Sequence, residues 1–110
     1  MRQSKHPLVG RDLIGIVEHI LEVTQGDFEA AERQLDEIDE LRGAIAANPL
    51  SGIRLAGPLE GWMVRHGGRG HRLTIVFRRE FEKDVLRIAV VAFGGQDWMS
   101  MGETRKWARY

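Results

Sequence analysis

Arginine carries most of the chemistry this sequence can offer. Residues 65–78 read Arg-His-Gly-Gly-Arg-Gly-His-Arg-Leu-Thr-Ile-Val-Phe-Arg. Guanidinium groups are permanent cations that fork onto carboxylates and phosphates. Arg72 and Arg78 are six positions apart, and residues of one parity share a face of a strand. They are therefore expected on one face, about 20 Å apart along the strand, with Arg65 on a neighbouring strand near one end of the row. Such a row suits an acidic segment, each carboxylate meeting one guanidinium. The competing arrangement is internal. Arg78 would pair with Glu80 or Glu82, and Arg65 and Arg72 with Glu60, as surface ion pairs of small worth. The binding residues expected from the sequence are Arg65, Arg72 and Arg78.

Other chemistries have less support. There is no cysteine, hence no disulfide, thiolate metal site or thiol nucleophile. His66 and His71 flank a glycine-rich loop with no third ligand in view, so no metal site is expected. The loop matches neither phosphate-binding glycine signature and leads into a strand, not a helix. No cofactor is expected. His19 has no second histidine at ligand spacing and reads as a solvent-facing or partly packed helix residue.

The arginines must be held by strands. Leu73, Ile75 and Phe77 alternate with Arg72, Thr74, Val76 and Arg78, the period of a strand with one buried face. Residues 85–93 are apolar on both sides, which predicts a central strand covered on both faces. The short polar link 80–84 suits an antiparallel hairpin. A third strand is expected over residues 59–65, with Trp62 and Val64 facing one way and Met63 the other. Ahead of these lie two helical stripes. Residues 8–24 carry Leu13, Ile14, Ile16, Val17, Ile20 and Leu21, and residues 27–47 carry Phe28, Ala31, Leu35, Ile38, Leu41 and Ile45. Gly26 reads as the stop of the first and Asp27 as the N-cap of the second. So short a connection predicts an antiparallel helical hairpin. Its outer face, Glu29, Glu32, Asp36, Glu37, Asp39 and Glu40, reads as solvated. Asn48 before Pro49 ends the second helix. The tail, residues 96–110, holds Trp98, Met99, Met101, Trp107 and Tyr110. It is expected to pack back on the domain or at a subunit contact, with room for a short helix.

A chain of 110 residues fits one domain. No apolar run approaches membrane-spanning length and no signal peptide is visible, so a cytoplasmic protein without membrane contact is expected. Formal net charge is zero, yet residues 1–52 carry 5 Lys and Arg against 10 Asp and Glu, and residues 53–110 carry 11 against 6. The basic half suggests an anionic partner, protein or nucleic acid.

The order of two helices, the break Asn48-Pro49-Leu50-Ser51-Gly52 and three strands carries further markers. They are Asp12-Leu13, Gly61-Trp62 and the strands over residues 73–78 and 85–93. Together these resemble the RelE/ParE family of toxins from bacterial type II toxin–antitoxin modules, over roughly residues 7–98. The resemblance implies a single α+β domain over residues 1–110. An N-terminal helical hairpin would pack on one face of a three- or four-stranded antiparallel sheet. The family's first strand precedes its first helix, and here only the polar residues 1–6 are available for it. A cognate antitoxin is the implied partner. RelE-like members look like ribosome-dependent mRNA endonucleases with basic side chains on the sheet and a His or Tyr near the end of the last strand. ParE-like members lack that set and poison DNA gyrase. Here the strand ends Phe93-Gly94-Gly95-Gln96-Asp97-Trp98. Phe93 and Gly95 cannot exchange a proton. His66, His71 and Tyr110, the His and Tyr residues of the basic half, lie elsewhere. The expected function is a ParE-like toxin that binds a target such as DNA gyrase, with catalytic residues unassigned. A ribonuclease acting on ribosome-bound mRNA and a non-toxic partner-binding relative are the alternatives.

Overall fold

The computed structural model describes residues 2–105. In chain order they form β1 (Arg2–Lys5), α1 (Val9–Val23), α2 (Phe28–Ala47), β2 (Ile53–Arg54), β3 (Met63–Gly67), β4 (Leu73–Glu80), β5 (Val85–Phe93) and α3 (Trp98–Arg105). Short 3₁₀ turns at Gly57–Leu59 and Arg69–His71 flank β3.

The helical hairpin follows from its stop and cap. Gly26 takes a positive φ of 96° after α1, a conformation that costs glycine little. The Ala30 amide then donates to the Asp27 carboxylate at 3.0 Å, satisfying one of the free donors at the start of α2. Val9, Ile16 and Ile20 of α1 pack with Ala31, Ile38, Leu41 and Ile45 of α2. They cover Leu73, Ile75, Phe77, Leu86, Ile88 and Val91 of β4 and β5. The expected stripes are too broad at two places. Ile14 is 59% exposed and Phe28 69%, because a helix lying on a sheet presents only one arc of its surface to it.

The sheet differs from expectation. It has five strands in the order β1-β5-β4-β3-β2, and β1 runs parallel to β5 while the other pairs are antiparallel. The expected three- or four-stranded antiparallel sheet is thus a mixed sheet with two short edge strands added. Both additions evade hydrophobic patterning. Arg2–Lys5 is an exposed edge strand that contributes mainly backbone hydrogen bonds, and β2 is two residues long. Apolar alternation marks only strands that bury side chains. β5 matches expectation in bounds and in burial on both sides.

The second side of β5 is covered by α3. Trp98 and Met101 pack against Trp62, Val64, Val76, Ala89, Val90 and Ala92. Gly102 lets α3 approach closely, since a Cβ there would lie 3.2 Å from the Leu59 methyls. One more bond ties the layers. β1 ends where Lys5 pairs Ile88, leaving the rest of that β5 edge without a strand. The Val91 amide donates to Asp12 Oδ2 at 3.0 Å, and Arg105 Nη1 donates to the Ala89 carbonyl at 3.1 Å. Arg105 in turn forks onto Asp12 at 2.5 and 2.8 Å. A buried ion pair joining α1 to α3 therefore closes the open edge. No helix among the described residues is long and apolar enough to cross a membrane. Trp107 and Tyr110 lie outside the described residues.

Candidate functional site

Arg65, Arg72 and Arg78 do not form one row. Arg72 has φ −81° and ψ −16° and closes the 3₁₀ turn one residue ahead of β4. Its carbonyl accepts from the Gly94 amide at 2.9 Å. Strand alternation applies only to extended backbone, so the parity that linked Arg72 to Arg78 does not reach it. Arg65 is paired with Ile75, which belongs to the helix-side core. Directly opposed residues share a face, so Arg65 lies on the helix side, where Nη1 donates to Ser51 Oγ at 2.8 Å. Arg78, near the far end of β4, lines a cleft of about 440 Å³ with Arg54, Glu60, Trp62, Met63, Arg79 and Phe81.

The internal pairings expected for these arginines do not form either. Glu80 is taken by Arg87 at 2.6 Å, and Arg79 pairs with Asp84 at 2.8 Å. The hydrogen bond from Arg87 holds the Glu80 carboxyl below its usual pKa. Among the described residues no salt bridge joins Arg65, Arg72 or Arg78 to a carboxylate. Arg72 and Arg78 are exposed, Arg65 is half-buried against Ser51, and the three lie in separate places.

Arg72 gains different company. The turn of the helical hairpin overhangs the connection between β3 and β4, leaving a cleft of about 600 Å³. His19 comes from α1, Arg33, Gln34 and Glu37 from α2, Arg69 and Arg72 from the connection, and Phe93 from the end of β5. The His19 and Phe93 rings are tilted at 57° with centroids 6.2 Å apart. A smaller recess of about 230 Å³ shares both rings and runs to Gly94, Gly95 and Gln96. Glu37 is half-buried here and not on a fully solvated face, the reading its sequence neighbours suggested. This cleft sets three guanidinium groups, an imidazole and one carboxylate around a space that admits an anion.

His19 is the residue that sequence reasoning passed over. Phe93 and Gly95 offer no proton, but the fold sets an imidazole from α1 beside Phe93. The available signal was its place in the helix, three residues after buried Ile16 and one before buried Ile20, at the border of the stripe. His66 and His71 are not brought into this cleft. The His66 Nδ1 is 2.8 Å from Thr74 Oγ1, and its ring meets Trp98 edge-on at 6.0 Å, on the α3 side. His71 is exposed at a positive φ of 55°.

No family profile and no curated protein sequence matches the chain. Among solved structures, the fold matches a chain in the crystal structure of the toxin–antitoxin complex RelBE2 from Mycobacterium tuberculosis. The TM-score is 0.58 at 18% identity, over 84% of this chain and 95% of that one. At that identity the likeness is one of fold. The resemblance drawn from the helical hairpin, the Asn-Pro break and the strands holds at that level.

Proposed function

We propose that this chain is the toxin component of a type II toxin–antitoxin module, neutralised by a cognate antitoxin. The observation that carries the reading is the shared fold, which spans 95% of a chain taken from a toxin–antitoxin complex. In the favoured mode the protein acts by contact with its target, DNA gyrase being the ParE-like case, because the end of β5 itself carries no proton donor. Arg78 is the residue proposed to meet an acidic antitoxin segment. Its cleft combines Arg54, Arg78 and Arg79 with apolar Leu50, Leu55, Trp62 and Phe81, a surface that suits apolar anchors flanked by carboxylates. Arg65, engaged with Ser51, is proposed as a weaker contributor. A second reading, ribosome-dependent mRNA cleavage, draws support from His19 beside Phe93.

The test is induced expression in a bacterial host, alone and together with the small reading frame beside its own. Growth arrest relieved by that neighbour is the expected result. Supercoiling assays with gyrase and mRNA mapping on translating ribosomes then separate the two modes. A folded, abundant protein that neither slows growth nor binds the neighbouring product would overturn the proposal.

A further inference from the structure

The two edges of the sheet are finished differently. On the β1 side the edge strand is polar, Arg2-Gln3-Ser4-Lys5, and beyond it Asp12 and Arg105 occupy the Val91 amide and the Ala89 carbonyl. Charged strands and covered backbone groups keep an edge from pairing with another chain. The β2 edge has no such cover. The Leu55 amide donates inward, to the Trp62 carbonyl at 3.0 Å. Bonding direction alternates along an antiparallel strand, so the N–H and C=O of Arg54 and Ala56 point outward. Ala56 is still extended, at φ −120° and ψ 179°. Ile53 stands opposite Val64, which packs with α3, so its side chain projects on the α3 side, where it is 65% exposed. On that side, next to Ala56, an apolar recess of about 240 Å³ is lined by Leu55, Pro58, Leu59, Trp98 and Met99. Arg54 stands opposite Met63 and so lies on the helical-hairpin side. It lines the neighbouring cleft with Glu60, and no salt bridge among the described residues engages either.

We infer that the β2 edge is a self-docking surface, at which two copies of this chain pair antiparallel about a twofold axis through Leu55. The N–H and C=O of Arg54 bond to the C=O and N–H of Ala56 in the second copy, extending the ladder of each five-stranded sheet into the other. A register centred on Arg54 would set two guanidinium groups directly opposite, which is unfavourable. The register centred on Leu55 sets Ile53 beside Gly57 of the second copy, at the mouth of its apolar recess. It also brings Arg54 to the turn that carries Glu60 of the second copy. A twofold contact requires a patch that complements itself. Here side chain and recess, cation and carboxylate, donor and acceptor lie on one patch, so the axis satisfies each of them twice. A strand from another protein would answer the backbone groups alone. The contact is small, below the roughly 1,200 Å² that bounds weak specific interfaces, so the dimer is reversible and not obligate. Arg54 also lines the cleft assigned above to an antitoxin segment, so self-association and that binding exclude one another. The inference does not rest on the toxin reading, and its test uses the purified chain with no growth readout, so either can fail without the other.

The experiment is sedimentation velocity of the purified full chain from about 1 to about 200 μM, a range that brackets the dissociation constant of so small an interface. The parent is expected to pass from monomer to dimer across it. Ile53→Lys places a charge at the edge and at the recess, and should stay monomeric throughout. Arg54→Glu and Glu60→Arg should each weaken self-association about tenfold or more, since each reversal acts twice across the axis. A mixture of those two variants in equal amounts should recover association, because both contacts then join opposite charges. Ile14→Lys, at an equally exposed apolar site on α1, should associate as the parent does. Circular dichroism melts confirm that each variant is folded. The inference is overturned if the parent stays monomeric at every concentration, or if the folded Ile53→Lys variant dimerises as the parent does. Equal loss in Ile14→Lys would also overturn it, as would failure of the mixed charge variants to recover.

Discussion

The two faces of the sheet are closed by different physics. On one, two helices lay Val9, Ile16, Ile20, Ala31, Ile38, Leu41 and Ile45 over six strand residues in a continuous apolar core. On the other, a single eight-residue helix contributes Trp98 and Met101 and is tied down by Arg105. Apolar burial is non-directional and spread over many contacts. The α3 closure concentrates on one ion pair between residues 93 positions apart in sequence. The first face is thus set by periodic pattern, and the second by the meeting of two distant side chains. The helix-side core is expected to be the last region to open, and α3 the first.

The largest effect should come from breaking the first face. Ile38→Asp places an unpaired carboxylate among fully buried side chains, at a cost of about 4 kcal/mol or more. The cooperative thermal transition should be lost or fall by tens of degrees. A parent-like melt would mean that α2 does not present Ile38 to the sheet.

Next in size is the ion pair. Arg105→Ala leaves Asp12 charged and buried, which should cost about 3–5 kcal/mol in urea unfolding. Asp12→Leu with Arg105→Met removes both charges and should recover much of that. It should still fall short of the parent, because the Val91 amide loses its acceptor, a penalty of about 1–3 kcal/mol. Equal stability of the single and double variants would contradict the account of the edge.

Trp98→Ala is smaller, about 2 kcal/mol, because the side chain is only partly buried and the cavity it leaves is open to solvent. Hydrogen exchange should show α3 amides losing protection while α1 and α2 keep theirs. Uniform loss across all three helices would erase the distinction between the faces.

The smallest effect is a pH dependence at the same edge. His6 is buried, its Nδ1 accepts from the Leu8 amide at 3.0 Å, and burial lowers its pKa, assisted by Arg105 and opposed by Asp12. The unfolded chain takes up a proton near pH 6.5, the folded chain only at lower pH. The stability that neutral His6 allows is therefore complete above about pH 6.5 and declines as pH falls toward the folded value. His6→Gln should flatten that slope in melts taken between neutral and mildly acid pH. An unchanged slope would assign the dependence to another group.

Local pattern was enough for the helical hairpin, its stop at Gly26, its cap at Asp27, and the bounds and double burial of β5. Each rests on neighbours within a few residues, where backbone geometry and apolar period act directly. Three things needed the folded chain. The polar strand β1 is held by backbone bonds that leave no trace in side-chain pattern. Arg72 departs from the strand because it closes the 3₁₀ turn at Arg69–His71 with helical φ and ψ, so an alternation argument could not place it. His19 acquires its company, Phe93, Arg69 and Arg72, only when a helix from the acidic half is laid over the end of a strand from the basic half. Residue types along the chain could name the arginines and histidines, but which of them share a space is decided by long-range packing, since contacts between distant residues carry no local sequence period.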